Sequence, residues 1–396
     1  MRDILFSVWS AGVGILWLAF NLAVVRLQRH VPPLARVVDR SPELAVPPSV
    51  TVVVAARNER ERIEGNVRRA LAQRGVDLSV VVVDDRSDDG TSEILDGLTR
   101  DEPRLRIVRV ETLPEDWLGK QHACHVGSKD AGTDWILFTD ADTWMAPGLV
   151  AHTIRAAESE DADLVCLLPA QKRIALWGKA AILSFSMALL IAAGRANRNR
   201  KHAPVGIGAF NLVRAGSFRR IGGYEALRME VIDDLKLGLL LQRAGGKLRC
   251  WTAEHEAEMD WAATPLELSR ALEKNYFALA DLRFGVAAIG IVLMTAVWLT
   301  AITGPFVGHW TGWAAFVGWT SVVLPAAMFA RRSRWGLLPA LLTPLVYPLM
   351  PWALLRSTWL AWRERGIRWR GTLYSLDRLR RHIIPLFARP GRPPLR

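Results

Sequence analysis

The chain has 396 residues, 51% apolar and 23% charged, and carries a formal net charge of +12. Its mean hydropathy is nonetheless positive, at +0.14, so apolar and charged residues must be segregated along it, as in a membrane protein. That excludes a disordered chain, a disulfide-rich secreted module and a collagen-like fibre. Cys124, Cys166 and Cys250 lie far apart without a CxxC pair, which argues against a disulfide framework or a thiolate zinc site.

Ile4 to Val25 is uncharged over twenty-two residues, enough to span a hydrocarbon core of about 30 Å and longer than the apolar core of a signal peptide. It reads as an uncleaved anchor. Arg26, Arg29, Arg36 and Arg40 follow, which places the next segment in the cytoplasm. Residues 1–48 thus form an anchor with a basic, Pro-rich linker. From 49 to 280 the composition is that of an α/β domain. β-rich runs at Ser49–Ala56, Ser79–Val83, Ile107–Val110, Trp135–Phe138 and Leu164–Leu168 alternate with helical patterns over Glu59–Arg74 and Thr91–Thr99, the signature of a mostly parallel sheet. Ala175 to Ala193 is apolar apart from Lys179 and is followed by Arg195, Arg198, Arg200 and Lys201. A crossing there would split the flanking motifs across the membrane, so 175–193 reads as an interfacial helix on the cytoplasmic leaflet, with a buried helix of the domain as the alternative.

Residues 281–362 hold three further apolar blocks, Phe284–Gly304, Phe306–Ala330 and Gly336–Trp362. Nine of the 17 tryptophans lie at or after Trp298, as interfacial anchoring requires. Pro339, Pro344, Pro348 and Pro351 interrupt the last block, which therefore reads as broken, re-entrant or hairpin-like. That keeps the tail 363–396, with ten arginines against Glu364 and Asp377, on the cytoplasmic side. The basic linker, the Arg331–Arg334 loop and this tail account for all of the net positive charge. It belongs beside apolar blocks, where it can grip anionic headgroups, and no nucleic-acid partner is expected.

Four polar clusters punctuate the α/β region. Ala55-Ala56-Arg57-Asn58-Glu59 ends the first strand and Asp84-Asp85-Arg86-Ser87-Asp88-Asp89-Gly90-Thr91 the second. Carboxylates at the carboxyl ends of parallel strands face the crevice where nucleotides bind, although the second cluster taken alone is also a good polar turn. Asp140 and Asp142 follow a hydrophobic strand, and such a pair suits a hard divalent cation that also binds a diphosphate. Asp233 and Asp234 open an apolar helix. They either stabilise its N-terminus or supply a general base. His122 and His125 flank Cys124 and read as one helix face rather than a metal site.

Taken in order, AARNE (55–59), VVDDRSDDGT (82–91), WLGK (117–120), TDADT (139–143), GIGAFNLVR (206–214), IGGYEALR (221–228) and IDDLKLG (232–238) resemble the family-2 glycosyltransferases, which use nucleotide-sugars and have the GT-A fold. Membrane-anchored members that glycosylate lipids, such as ceramide glucosyltransferases and hopanoid- or carotenoid-associated transferases, look most similar. The resemblance implies that Glu59, Asp84 and Asp85 line the nucleotide site, with Lys120 and Asp140 near the diphosphate. It implies that Asp142, helped by Asp140, holds Mn²⁺ or Mg²⁺, that Asp234 is the base with Asp233 beside it, and that Gly206 and Gly208 allow close approach beside the acceptor. The family's (Q/R)xxRW motif is matched by Arg365–Trp369, beyond the last apolar block. It would place Arg368 at the leaving diphosphate and Trp369 at the acceptor's approach.

The resulting expectation is an inverting, metal-dependent transfer of a sugar, from UDP by resemblance, to the hydroxyl of a membrane lipid, catalysed at the cytoplasmic face. A processive polysaccharide synthase and an inactive lipid-binding scaffold are the competing readings.

Overall fold

A computed structural model describes residues 2–100, 102–307 and 309–386; the Pro-rich end of the tail, from 387, lies outside the described residues. The strands are β1 (Ser49–Ala56), β2 (Asp77–Asp85), β3 (Leu105–Val110), β4 (Trp135–Asp140), β5 (Thr143–Met145), β6 (Leu164–Gln171), β7 (Asn211–Arg214), β8 (Leu248–Met259), β9 (Gly366–Trp369) and β10 (Thr372–Ser375). The first eight form one sheet in the order β3-β2-β1-β4-β7-β6-β8-β5, and β9 pairs with β10.

The chain divides into two compact units, one comprising residues up to His30, 173–194 and 261–367, the other 31–172, 195–260 and the chain from Arg368 on. The second unit holds the sheet. β3, β2, β1 and β4 run parallel, as expected from the alternating pattern. β7 is antiparallel to β4 and β6, and β5 to β8, so the complete sheet is mixed. The valine runs of β1 and β2 are buried on both faces, which is why they read as continuous apolar stretches rather than alternating ones. Val52, Val54, Val80 and Val82 belong to the main core, whereas Val81 and Val83 pack with Ala123 on the other face.

Parallel register brings the carboxyl ends of three strands together. Ala56 lies opposite Asp84, and Ala55 opposite Asp140. The polar clusters that follow β1, β2 and β4 therefore meet at one edge. The residues flanking the apolar helix Leu176–Asn197 are both tied to β8. The Lys172 N–H donates to the Met259 carbonyl (3.0 Å), and the Asn197 side chain exchanges two hydrogen bonds with Cys250 (2.8 and 2.7 Å).

The first unit is apolar. Asp3–His30, Leu176–Asn197, Phe284–Val307 and Trp310–Arg332 are long and apolar enough to cross a membrane. Leu338–Val346 and Leu349–Glu364 form a fifth such element bent by 46°, and Pro344 and Pro348 stand at and before the break. Within this unit Val13 and Trp17 of the first helix pack with Ala301, Ala315 and Trp319. A side chain at Gly14 would come within 2.8 Å of the Ala314 carbonyl, the small-residue contact typical of helices in lipid. Asn21 Nδ2 donates to the Gly318 carbonyl (3.1 Å) and Ser321 Oγ (2.8 Å). Ile4, Val8, Ile15, Ile289 and Val292 remain largely exposed, an apolar surface of the kind that seeks a bilayer.

The helix Gly119–Ser128 lies on β1 and β2 because Gly127 has no side chain. A Cβ there would stand 2.5 Å from Val53 Cγ1 and 3.1 Å from Val83 Cγ2. Gly127→Ala is therefore expected to lower stability by about 1–3 kcal/mol through overpacking, read as a fall in Tm; an unchanged Tm would contradict this packing.

Candidate active site

All the carboxylates singled out in the sequence fall in the sheet unit. At the end of β2, Asp84 accepts hydrogen bonds from Ser92 Oγ and from the Ser87 N–H (3.3 Å). Asp85 takes a bidentate pair from its neighbour Arg86 (2.8 and 2.9 Å). Those hydrogen bonds, partly offset by burial, hold the guanidinium above its ordinary value, and Tyr374 adds to the effect. Glu59 is buried, accepts a hydrogen bond from Arg370 Nη2 (2.6 Å), and its own N–H donates to Thr91 Oγ1 (2.9 Å).

On the chemical side, Lys120 opens the helix Gly119–Ser128 and donates to Asp140 Oδ1 (2.6 Å) at the end of β4. Burial pulls its ammonium down, but the charges of Asp140 and Asp233 outweigh this and hold it well above the usual lysine value. Asp233 and Asp234 start the helix Asp233–Arg243. Asp233 Oδ2 accepts from the buried Tyr224 phenol (3.2 Å), which burial pushes well above its ordinary value. Asp234 is gripped by main chain. Its Oδ2 accepts from the Gly208 N–H (2.9 Å) and its Oδ1 from the Leu235 N–H (2.8 Å).

Two glycines let these parts converge. A Cβ on Gly208 would lie 2.9 Å from Asp140 Oδ2, 3.3 Å from Lys120 Nζ and 3.7 Å from Asp234 Oδ2, so the lysine, the strand-end carboxylate and the helix-end carboxylate surround one point. A Cβ on Gly206 would collide with the Asp234 carbonyl. The close approach at Gly206 is to the turn that carries Asp234.

Asp142 is the exception in this network. Its Oδ1 is buried without a hydrogen-bond partner. Burial, then the charges of Asp140 and Glu59, push its carboxyl up to about 7. An orphaned carboxylate oxygen among like charges fits a hard divalent cation, which would satisfy the lone pair and offset the repulsion. Among the described residues no group of three or more His, Cys, Asp or Glu is arranged to hold a metal. Asp142 and Asp140 would thus supply only part of a coordination shell, with oxygens of a bound diphosphate or water as the remainder. Cys124 is buried in its helix, and burial pushes its thiol up to about 12.

Arg368 and Trp369 lie on β9, the first exposed and the second half-buried. The loop after them brings Arg370 to Glu59, 311 residues away along the chain, and β10 brings Tyr374, whose phenol oxygen accepts the Gly119 N–H (3.3 Å). Arg370 and Tyr374 were not among the residues flagged by sequence. Their only signal was adjacency to the Arg365–Trp369 match.

Residues 51–222 match the family model described as Glycosyl transferase family 2. A 4,4'-diaponeurosporenoate glycosyltransferase from Staphylococcus aureus (strain bovine RF122 / ET3-1) is 27% identical over 199 residues, which cover 48% of this chain and 50% of that protein. The same-named protein of strain USA300 is 26% identical over the same length. The chain spans about half the length of these curated relatives. Among solved structures, the mannosyltransferase PcManGT from Pyrobaculum calidifontis in complex with GDP-Man and Mn²⁺ aligns with a TM-score of 0.53 at 18% identity, covering 89% of this chain and 98% of that one. The fold of the sheet unit is therefore GT-A.

With metal chelated, folded Asp142 keeps its proton up to about pH 7, whereas the ordinary carboxyl ionises near 3.8. The wild type should then lose stability as pH rises between those values. Asp142→Asn is expected to melt higher than wild type at about pH 8, an advantage that disappears toward pH 4, and Mn²⁺ should raise the Tm of wild type alone. Equal Mn²⁺ shifts in both proteins would remove Asp142 from the cation site.

Proposed function

We propose that this chain, which carries a family-2 glycosyltransferase domain of GT-A fold, is an inverting hexosyltransferase that moves a sugar from a nucleotide-sugar to the hydroxyl of a membrane lipid. The observation that carries the reading is the convergence of Lys120, Asp140 and Asp234 around Gly208. A diphosphate needs a cation, and an acceptor hydroxyl needs a base within reach of the same anomeric carbon.

Asp234 takes the proton of the acceptor hydroxyl as its oxygen attacks the anomeric carbon. The bond from that carbon to the diphosphate breaks, and the nucleoside diphosphate leaves with the bonding pair. The Gly208 and Leu235 N–H groups fix the orientation of the Asp234 carboxylate, and Asp233, held by Tyr224, keeps its own charge toward Lys120. Lys120 offsets the negative charge that grows on the leaving group, an effect strengthened by its burial. A divalent cation held by Asp142 and Asp140 would neutralise the diphosphate further. Mn²⁺ in the Pyrobaculum complex supports metal use. Glu59, Asp84 and Asp85 would line the nucleotide site, Arg368 would contact the leaving diphosphate and Trp369 the acceptor's approach, and Gly208 would leave room beside the acceptor.

A lipid acceptor is supported by the apolar helices of the first unit and by the carotenoid acceptor named for the Staphylococcus relatives. The arginines at 26–40 and in the tail favour a catalytic unit on the cytoplasmic side, with Leu176–Asn197 lying at the interface.

Membranes containing the protein should move label from a UDP- or GDP-hexose into the organic phase in the presence of Mn²⁺. Asp234→Asn should lower kcat by about 10²–10⁴-fold while donor binding persists. Undiminished transfer by that variant, or label confined to a water-soluble polymer, would overturn the assignment.

A further inference from the structure

Lys236 and Glu230 are the most deeply buried charged pair in the sheet unit, and the mechanism does not use them. Their side chains are 0% and 4% exposed. The ammonium is 3.8 Å from the Glu230 carboxylate, too far for a hydrogen bond. A charge buried this completely persists only if it is otherwise satisfied. Here a single residue of the C-terminal tail bonds to both. The Ile384 N–H donates to Glu230 Oε1, and the Ile384 carbonyl accepts from Lys236 Nζ. Arg243, at the far end of the helix that begins with Asp233, donates to the Pro385 carbonyl (2.6 Å).

The arrangement is selective for main chain. A buried ammonium needs an acceptor and a buried carboxylate needs a donor, and one residue's peptide groups offer both. The Ile384 side chain takes no part in these bonds. The receptor is also joined to both halves of the reaction site. Lys236 follows Asp234 by two positions on one helix, about 200° round its axis, so the tail holds the face away from the base. The Glu230 carbonyl accepts from Gln121 Nε2 (2.7 Å), and Gln121 follows Lys120. The same tail is fixed upstream by Tyr374 to Gly119 (3.3 Å) and by Arg370 to Glu59 (2.6 Å).

We propose that Lys236 and Glu230 form a receptor for the backbone of Ile384, and that the segment Arg370–Pro385, held at its two ends, is a strap that positions Asp234 relative to Lys120. Lys236 and Glu230 are positioning residues. They act through the helix and through Gln121, without touching donor or acceptor. The inference rests on Asp234 being the base.

The test uses the full-length protein in membranes or detergent and substitutes one backbone group. Ile384→Pro removes the N–H that Glu230 receives, whereas Ile384→Ala leaves the backbone intact. Ile384→Pro should lower kcat by about 10- to 100-fold with donor KM and Tm close to wild type, and Lys236→Met should lower kcat similarly with a lower Tm, because it leaves Glu230 buried without its cation. Ile384→Ala should keep wild-type kcat. In both damaging variants the amides of Asp234 and Leu235 should exchange faster with deuterium, a readout that needs no turnover. Wild-type kcat and exchange in Ile384→Pro would overturn the strap, as would an Ile384→Ala variant damaged equally, or a loss of kcat that merely tracks a collapse of Tm. Failure of the wild type itself to transfer sugar would overturn the catalytic reading instead, and the exchange comparison would still decide whether the tail holds the helix.

Discussion

Like charge crowded at one end of a parallel sheet is the constraint on which this structure turns. Glu59, Asp84, Asp85, Asp140, Asp142, Asp233 and Asp234 arrive from β1, β2, β4 and a helix start, and carboxylates this close raise one another's energy. The fold answers most of them individually. Asp85 has Arg86, Asp140 has Lys120, Glu59 has Arg370, Asp233 has Tyr224, and Asp234 has two main-chain N–H groups. Asp142 keeps a buried oxygen unsatisfied and a carboxyl raised to about 7. That imbalance is the observation on which the cation site proposed for Asp142 rests.

The means of compensation differ with the work proposed for each group. Asp84 is held by a hydroxyl and an N–H and Asp85 by a planar guanidinium fork, which fix orientation and suit groups that accept hydrogen bonds from a nucleotide. Asp234 accepts from two peptide N–H groups, which orient its carboxylate. Gly206 lets one chain segment reach the Asp234 main chain, and Gly208 brings its N–H to the carboxylate while its missing side chain leaves a space lined by Asp140 Oδ2, Lys120 Nζ and Asp234 Oδ2. Lys120 adds a point charge beside that space and is itself kept cationic by Asp140 and Asp233.

Much of this was legible in the sequence because it is local. Each acidic cluster follows a β-rich run directly, so parallel strands alone bring Glu59, Asp84 and Asp140 to one edge, and the observed register does so. The mixed character of the sheet was less legible. β5 is three residues long and β7 four, too short to show a period, and both run antiparallel to their neighbours. The contribution of the tail could not be read at all. The partners of Arg370, Tyr374 and Ile384 lie between 148 and 311 positions away, and no periodicity or spacing rule reports contacts of that separation. Lys236 and Glu230 were hidden for a related reason, since a charged residue in a helical pattern reads as solvent-facing until something is found to cover it.

The tail also changes the meaning of the net charge of +12. Positive residues flanking apolar blocks orient a chain in a membrane, and by composition alone all ten arginines from Arg363 onward could serve that end. Arg370 does not. It is bound to the buried Glu59, and the segment that follows it ends on the buried Glu230 and on Lys236 of the helix that begins with Asp233. A basic tail committed in this way must share a compartment with the carboxylates it meets.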